Sequence, residues 1–285
     1  MYPVLVSLGS IHIYSLSIFL LLAWLAFSFV FWKSLRNQAV EEERIFDFTF
    51  YSTVMAFLGA RVAFVLLHHE LFVDTFLKIV AVWVQPGLSL YGALVAGMLT
   101  ILFLSRRYKV RAGYILDAIA FALPPALIVG LIGSFLDGTT VGKITSLPWG
   151  ASYIGFPGRR HPVQIYEIFA LLGIMLIILL IQKRANKYGL PYGITGLWFF
   201  FFYSISMFVI EFAKEGGVYF SYLSANQWVL VGFFAETLGA FYVRGGGREL
   251  VRPALRQVGE RIQSFFQRFY AKFSKRPPHR DTETS

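Results

Sequence analysis

Ionisable side chains interrupt or closely border several long apolar stretches of this chain. Arg61 lies inside one stretch, and Glu167 and Glu211 lie near the ends of two others. Ionisable groups are costly within a bilayer, so those that occur there usually face the interior of a helical bundle and mark a functional site. A guanidinium binds phosphate or carboxylate through paired hydrogen bonds, and a carboxylate can orient donors or accept protons. The pattern therefore suggests chemistry on an anionic, phosphate-bearing molecule at a membrane.

The candidate residues share one level along the apolar stretches. Five separate stretches place polar side chains near the same membrane surface, and Tyr203 lies about 12 Å deeper than Glu211 at about 1.5 Å per helical residue. The set comprises Tyr14, Arg61, Ser134, Asp137, His161, Glu167, Tyr203 and Glu211. A site in the outer leaflet that is lined by cations, carboxylates and phenols suits a phospholipid head group, in either an enzyme or a binding protein.

Several of these residues also have simpler interpretations. Tyr14 alone is typical of an interfacial aromatic belt. Glu211 could be solvated, because Lys214 and Glu215 follow it. Arg61 is harder to explain in this way, since a guanidinium at that depth has to pair with a carboxylate or a lipid phosphate.

Two other acidic residues, Asp47 and Asp117, lie at span starts and are expected to be helix N-caps or interfacial charges. Glu236 lies deeper in its span and has no obvious partner. The five histidines are scattered and do not share a helix face with each other and a carboxylate, so we expect no metal site and no cofactor.

The composition is that of a membrane protein. Of the 285 residues, 56% are hydrophobic and only 15% are charged, whereas soluble chains are about a quarter charged. The net charge of +10 does not indicate nucleic-acid binding, because the basic residues lie in short loops between apolar stretches. The absence of cysteine excludes disulfides, thiolate metal sites and a cysteine nucleophile in this chain.

Seven stretches approach the length of about 20 mostly apolar residues that crosses a bilayer. They are roughly 13–32, 45–67, 88–105, 114–135, 163–182, 193–212 and 227–243. The fold class predicted is thus an all-α membrane protein, a seven-transmembrane helical bundle. The segment from Leu71 to Val84 is too short and punctuated to span, so we expect it to be re-entrant or interfacial. No basic region precedes the first stretch, which we expect to be a retained span rather than a cleaved signal peptide.

The distribution of basic residues predicts the orientation. Of the 26 lysines and arginines, 20 fall on one side of the seven spans, 5 fall on the other side, and Arg61 lies within a span. Basic loops face the cytoplasm, so the N-terminus is predicted outside and the C-terminus inside.

The chain is predicted to divide into a membrane domain, 1–244, and a basic cytoplasmic tail, 245–285. Apolar residues recur at three- and four-residue steps from Val251 to Phe273, with arginines between them. This pattern predicts a basic amphipathic C-terminal helix on an anionic leaflet. A coiled-coil partner is the alternative.

Several motifs resemble the prolipoprotein diacylglyceryl transferase family. They include IHIYS around Tyr14, GARVAFVL at 59–66, PGLSLYGALVAG at 86–97, GSFLDGTTVG at 133–142, RHPVQIYE at 160–167 and FYSISMFVIEFAK at 202–214. The resemblance implies seven spans and transfer of diacylglycerol from phosphatidylglycerol to the lipobox cysteine of a prolipoprotein signal peptide. It places this reaction at the outer leaflet of the bacterial plasma membrane. The expected partners then include membrane lipids and exclude nucleic acid.

The chain also departs from the family pattern. The family usually has His at the position of Tyr91, Asn at Ser134 and Glu at Thr139. It has Arg at the positions of Leu131 and Met207, so two arginines that the family ties to activity are missing here. This departure favours a second hypothesis, a non-catalytic relative that binds phospholipid or lipoprotein precursors.

The mechanism that the resemblance implies is attack of the substrate cysteine sulfur on a glyceryl carbon, with glycerol phosphate leaving. Tyr14, His161, Tyr203 and Glu211 are the predicted catalytic residues, with His161 as a candidate base. The predicted substrate-binding residues are Arg61, Tyr91, Ser134, Asp137, Gly142, Gln164, Glu167 and Lys214, and Arg159 or Arg160 could help at the rim. A retinal protein is excluded because residues 227–243 contain no lysine for a Schiff base.

Overall fold

The computed structural model describes residues 2–8, 11–73, 77–82, 84–85, 87–216, 221–244 and 263–264. The chain forms two compact units, Met1–Ala235 and Glu236–Ser285. The first unit contains the helical bundle and every group considered below. In the second unit, the described residues are the C-terminal part of the last helix and residues 263–264. The amphipathic helix predicted between Val251 and Phe273 therefore lies almost entirely outside the described residues.

Helices dominate the described residues. Their bounds are α1 Ser15–Arg36, α2 Glu42–Leu67, α3 Leu77–Val80, α4 Leu90–Arg107, α5 Ala112–Asp137, α6 Val163–Tyr188, α7 Ile194–Glu211 and α8 Ala225–Arg244, with a 3-10 turn at His69–Phe72. Short strands pair beside them: β1 Val4–Leu8 with β2 Ile11–Tyr14, and β3 Ala151–Ser152 with β4 Arg159–Arg160. The turn and the four-residue α3 fall in the segment predicted to be re-entrant or interfacial, and neither is long enough to cross a bilayer.

Six of the described helices, α1, α2, α4, α5, α6 and α7, are long and apolar enough to span a membrane. Their mean hydropathies lie between 1.3 and 2.4, and each overlaps one of the predicted spans. This confirms a multi-pass helical membrane protein. The seventh predicted span corresponds to α8, a 20-residue helix that is not among these six.

Small residues allow a close contact between α2 and α4. A Cβ on Gly59 would lie 2.8 Å from the carbonyl oxygen of Gly92, and a Cβ on Gly92 would lie 2.4 Å from that of Gly59. Ala63 and Ala96 complete the contact on each helix. Such stripes of small residues let the backbones of two helices approach closely. In a membrane, van der Waals packing between helices takes the place of the hydrophobic effect.

The helices α5, α6 and α7 form a second packed group. Ala120, Ile174, Ile178 and Phe199 are buried between them. Asp117 lies at the start of α5, yet its carboxylate accepts hydrogen bonds from the backbone N–H groups of Gly193 and Gly196 at 2.6 and 2.8 Å. Asp117, which was expected to cap a helix, therefore caps α7 and not its own helix α5. Its negative charge also complements the dipole at the N-terminus of α7.

We call the opposite end of the bundle the Glu211 end. There α5 and α7 finish and α4, α6 and α8 begin. The segments that follow α5 and α7 pair with each other through Gly142 and Lys214, and Ile144 pairs with Arg160. A small antiparallel sheet thus covers this end and fixes the residues next to the candidate site.

Candidate functional site

A lysine held between two carboxylates forms the centre of the candidate site. Lys214 Nζ lies 2.7 Å from Glu167 Oε1 and 2.9 Å from Glu211 Oε2. The three side chains are 21%, 9% and 9% exposed, respectively. Burial lowers the pKa of Lys214, but the charges and hydrogen bonds of both carboxylates outweigh it and raise the pKa above its usual value. The lysine is thus held as a cation.

Backbone pairing places Lys214 between these carboxylates. Lys143 N donates to the carbonyl of Ala213 at 2.8 Å, and Glu215 N donates to that of Val141 at 2.9 Å. Gly142 faces Lys214 in this ladder, and a Cβ at this position would lie 2.2 Å from the carbonyl oxygen of His161. Only glycine fits there, so Gly142 contributes to the site by close backbone approach.

The second oxygen of Glu211 extends the network to two more helices. Glu211 Oε1 accepts hydrogen bonds from Ser224 Oγ at 3.1 Å and Asn226 Nδ2 at 2.8 Å. Asn226 Oδ1 in turn accepts a hydrogen bond from the Tyr91 hydroxyl at 2.6 Å. Residues from α4, α6, α7, α8 and the loops before and after them are thereby joined in one polar network.

The start of α8 explains why Ser224 and Asn226 reach this network. Ser224 N donates to Gln227 Oε1 at 2.9 Å, and Gln227 N donates to Ser224 Oγ at 3.2 Å. These reciprocal bonds form a capping box, which fixes the helix start and sets Asn226 in its first turn. The sequence prediction missed both residues, although the Ser-x-x-Gln spacing from 224 to 227 is the signal of such a box.

Tyr203 lies two turns before Glu211 on α7. Its ring stacks on Phe199 with a centroid separation of 5.6 Å. Tyr203 is thus about 12 Å from Glu211 along the helix, at about 1.5 Å per residue, and it lies within range of the charges of Glu167, Lys214 and Glu211.

A second hydrogen-bonded group lies at the start of α6. His161 Nδ1 is 3.1 Å from the Tyr166 hydroxyl, which accepts a hydrogen bond from Trp149 Nε1 at 2.9 Å. The buried Gln164 accepts from the Tyr153 hydroxyl at 3.0 Å and donates to the carbonyl of Thr140 at 2.6 Å. Burial raises the pKa of Tyr153 to about 12. Gln164 thus fastens the covering loop to α6, and Tyr153 and Thr140 are partners that the sequence did not predict.

The two adjacent rim arginines differ. Arg160 is buried, forms an ion pair with Glu215, and donates to the carbonyl of Gly142 at 3.2 Å. Its guanidinium lies 4.9 Å from the ring centroid of Phe156. Arg159 is exposed and has no carboxylate partner in the described part of the chain. Of these two rim cations, Arg159 is the one whose charge is open to solvent.

Arg61 lies in a different environment from the one expected. It is 6% exposed, and its guanidinium donates to four backbone carbonyls, those of Lys78, Ile79, Gln85 and Gly87, at 2.6 to 2.9 Å. The rings of Phe64 and Phe72 flank it at 5.8 and 5.2 Å. Among the described residues its partners are therefore carbonyls and aromatic rings, not a carboxylate. The residue fastens the segment that leads to Tyr91.

Three other predicted residues have no hydrogen bond or ion pair with the triad among the described residues. Tyr14 pairs with Val4 in the N-terminal hairpin, and its side chain is 51% exposed. Ser134 bonds to the hydroxyls of Thr139 and Thr140 at 2.9 and 3.5 Å. Asp137 is the last residue of α5. The structure thus brings Tyr91, Gly142, Glu167, Tyr203, Glu211 and Lys214 together, whereas Tyr14, Arg61, Ser134, Asp137, His161 and Gln164 have other partners or positions.

Comparison with known proteins identifies the family. The family model described as prolipoprotein diacylglyceryl transferase matches residues 3–243. The chain belongs to the prolipoprotein diacylglyceryl transferase family. The match covers α1 to α7, nearly all of α8 and the whole Glu211 end, so every group of the network lies within the family region.

Relatives from several bacteria carry the name phosphatidylglycerol–prolipoprotein diacylglyceryl transferase. The protein of Aeromonas salmonicida (strain A449) is 30% identical over 237 residues, which cover 79% of this chain and 83% of the relative. The protein of Geobacter sulfurreducens is 28% identical over 217 residues, covering 75% and 82%. That of Wolbachia pipientis subsp. Culex pipiens (strain wPip) is 28% identical over 228 residues, covering 79% and 86%.

The two positions where the resemblance leads us to expect arginine are apolar and share one environment. Met207 is buried with Leu171 and Leu230, and Leu131 packs against this cluster. Tyr203 also packs against it. The apolar cluster therefore includes α7 residues one and two helical turns before Glu211.

Proposed function

We propose that this protein transfers diacylglycerol from phosphatidylglycerol to the lipobox cysteine of prolipoproteins. The observation that carries this proposal is the network of Glu167, Lys214, Glu211, Asn226 and Tyr91 within a chain that belongs to the transferase family. The network lies at the ends of apolar helices, and we propose that a phospholipid and a signal peptide both reach it from the bilayer.

We further propose that the Glu211 end faces the outer leaflet of a bacterial plasma membrane. The basic loops support this orientation, with the N-terminus outside and the C-terminus inside. At about 1.5 Å per residue, α8 has a length of about 30 Å, enough for a seventh span. The residues after 244 would then form the basic cytoplasmic tail.

The proposed reaction forms one carbon–sulfur bond and breaks one carbon–oxygen bond. The cysteine sulfur attacks the glyceryl carbon that carries the phosphate ester, the ester oxygen leaves with the phosphate as glycerol phosphate, and the thiol proton passes to a base. Two groups must be stabilised in this step: the thiolate before attack, and the phosphate as it leaves.

The geometry favours different roles for the proposed residues. Each Glu211 oxygen already accepts hydrogen bonds or an ion pair, so we assign it to holding Lys214 and Asn226 rather than to proton transfer. His161 remains the proposed base, oriented by Tyr166. Arg159 supplies an exposed cation for the phosphate. Tyr203 and Tyr14 are the proposed hydroxyl donors, and Ser134 and Asp137 border the substrate.

Arg61 has a restricted role in this proposal. An arginine has five N–H donors, and four carbonyls accept hydrogen bonds from this one. We therefore assign Arg61 to positioning the segment before Tyr91, with one donor left for a lipid oxygen.

The test is a transfer assay with purified protein in phosphatidylglycerol vesicles. A peptide with a lipobox cysteine is expected to gain the mass of one diacylglyceryl group, with release of an equal amount of glycerol phosphate. A matched peptide with serine in place of the cysteine should gain nothing. Wild-type protein that stays folded and releases no glycerol phosphate would contradict the proposal.

A non-catalytic lipid- or lipoprotein-binding relative is the second candidate. The apolar packing of Leu131 and Met207 favours it, because a phosphate clamp at these positions is replaced by side chains without charge. Binding of phosphatidylglycerol or of the cysteine peptide without transfer in the same assay would support this candidate.

A further inference from the structure

The hydrogen bonds between Glu211 and Tyr91 have a direction that charge determines. An ionised carboxylate only accepts hydrogen bonds, and the ion pair with Lys214 at 2.9 Å keeps Glu211 ionised. Asn226 must therefore turn its amino group toward Glu211, which leaves its carbonyl oxygen facing Tyr91. A carbonyl has no proton to give, so the Tyr91 hydroxyl has to donate its own.

The phenol oxygen of Tyr91 is consequently an acceptor with free lone pairs. Its single proton is committed to Asn226 at 2.6 Å. No group in the described part of the chain donates to this oxygen, and the residue is 37% exposed. A molecule that enters from the membrane can reach it and meets an acceptor rather than a donor.

The charges of the network favour the same kind of partner. Glu167, Lys214 and Glu211 together carry one net negative charge, and Glu211 is one amide away from the phenol. Negative charge repels a phosphate and attracts the positive end of an O–H or S–H bond. Tyr91 is thus unsuited to binding the phosphate, although it lies in the network expected to handle a phospholipid.

We propose that Tyr91 recognises a substrate by accepting a hydrogen bond from its hydroxyl or thiol group. The inference rests on the proposed function and deepens it. Two substrates carry such a donor: the glycerol head group of phosphatidylglycerol has hydroxyl groups, and the incoming cysteine has a thiol. Asn226 positions Tyr91 by accepting a hydrogen bond from its hydroxyl, and Glu211 positions Asn226.

The experiment compares two lipid donors in the vesicle transfer assay. One is phosphatidylglycerol, and the other is the same lipid with both head-group hydroxyls methylated. Wild type, Tyr91→Phe and the control Tyr222→Phe are measured with each, because Tyr222 is 91% exposed and lies outside the network. Both substitutions remove one phenol oxygen and keep the ring.

If the partner is the head group, wild type and Tyr222→Phe prefer the hydroxylated lipid by about 3- to 10-fold, the effect of one net hydrogen bond, and Tyr91→Phe loses that preference. If the partner is the thiol, the lipid preference is the same in all three proteins, but the pH profile for the peptide shifts only in Tyr91→Phe. A Tyr91→Phe protein that matches Tyr222→Phe in both measurements overturns the inference.

Two further measurements keep the inference testable. If Tyr91→Phe does not fold, Asn226→Leu is used, which removes the acceptor of the Tyr91 hydrogen bond. This variant is expected to reduce the same lipid preference or to shift the same pH profile. No change in either measurement refutes the proposal. If wild type transfers nothing, the proposed function fails. The comparison is then made on binding of each lipid and of the peptide, where a selective loss in Tyr91→Phe supports the inference and equal binding by all proteins overturns it.

Discussion

Two cations at the Glu211 end of the bundle have different kinds of partners. Arg61 lies among four backbone carbonyls and two aromatic rings, all from α2 or the segment that follows it. Lys214 lies between carboxylates on two different helices, and one of them continues to Asn226 and Tyr91. Carbonyl partners hold a local segment in place, whereas carboxylate partners connect separate helices.

The contrast favours Lys214 as the cation of the proposed site. The donors of Arg61 are nearly all committed to the backbone, as expected for a residue that maintains structure. Lys214 belongs to a buried charged network, an arrangement that is costly for stability and is typical of functional sites.

Lys214→Met should give the largest loss of stability. It leaves Glu167 and Glu211 close together without their cation, and breaking a buried ion pair costs about 3–5 kcal/mol. Thermal unfolding in detergent measures the change. Lys143→Met is the matched control, because Lys143 is an exposed lysine on the neighbouring segment. Equal unfolding temperatures for the two variants would contradict the role of the triad.

Arg61→Gln should destabilise the protein by about 1–3 kcal/mol, the cost of leaving a buried acceptor without its donor. The effect should be local, so limited proteolysis is expected to cut faster between residues 77 and 89. Arg159→Gln, which changes an exposed arginine in the same way, should leave that cleavage rate unchanged. Faster cleavage elsewhere, with the 77–89 segment still protected, would refute this positioning role.

Asp117→Ala should cost about 0.5–2 kcal/mol, as for the loss of a helix cap. The carboxylate holds the N–H groups of Gly193 and Gly196 at the end of the bundle opposite the site. Unfolding temperature should fall while the rate of transfer per folded molecule remains unchanged. A large loss of transfer rate would mean that the two ends are coupled.

Tyr153→Phe should cost about 0.5–1.5 kcal/mol through the lost hydrogen bond to Gln164. It should also change the alkaline limb of the stability curve. Burial raises the pKa of Tyr153 from 10.0 to about 12, so its contribution is complete below pH 10 and is lost as pH rises toward 12. Unfolding followed between pH 8 and 12 should show a shallower alkaline decline in the variant, and identical slopes would contradict this.

The sequence predicted the membrane class correctly because that class depends on long patterns. Six predicted spans match helices, since apolar length is a strong signal. Depth within a span also indicated Glu167, Tyr203 and Glu211. The partners of these residues were not predictable in the same way, because they come from distant parts of the chain.

Arg61 and Asn226 show which contacts cannot be predicted from the sequence. The sequence indicated that the Arg61 charge required a partner, but backbone carbonyls carry no sequence signal, so the prediction named carboxylate or phosphate instead. Asn226 has no unusual depth or charge, and only the Ser-x-x-Gln spacing around it indicated a helix start. Its contact with Glu211 depends on how α7 and α8 meet, which local patterns do not specify.

The most direct test compares transfer rates per folded molecule for Lys214→Met and Arg61→Gln. Loss of Lys214 is expected to lower kcat/KM by about 10²- to 10³-fold, the usual effect of removing a preorganised charged group from a reaction site. Loss of Arg61 should lower it by less than about tenfold, since a positioning residue acts through its segment. A larger loss for Arg61→Gln than for Lys214→Met would contradict the assignment of the reaction site to the Lys214 network.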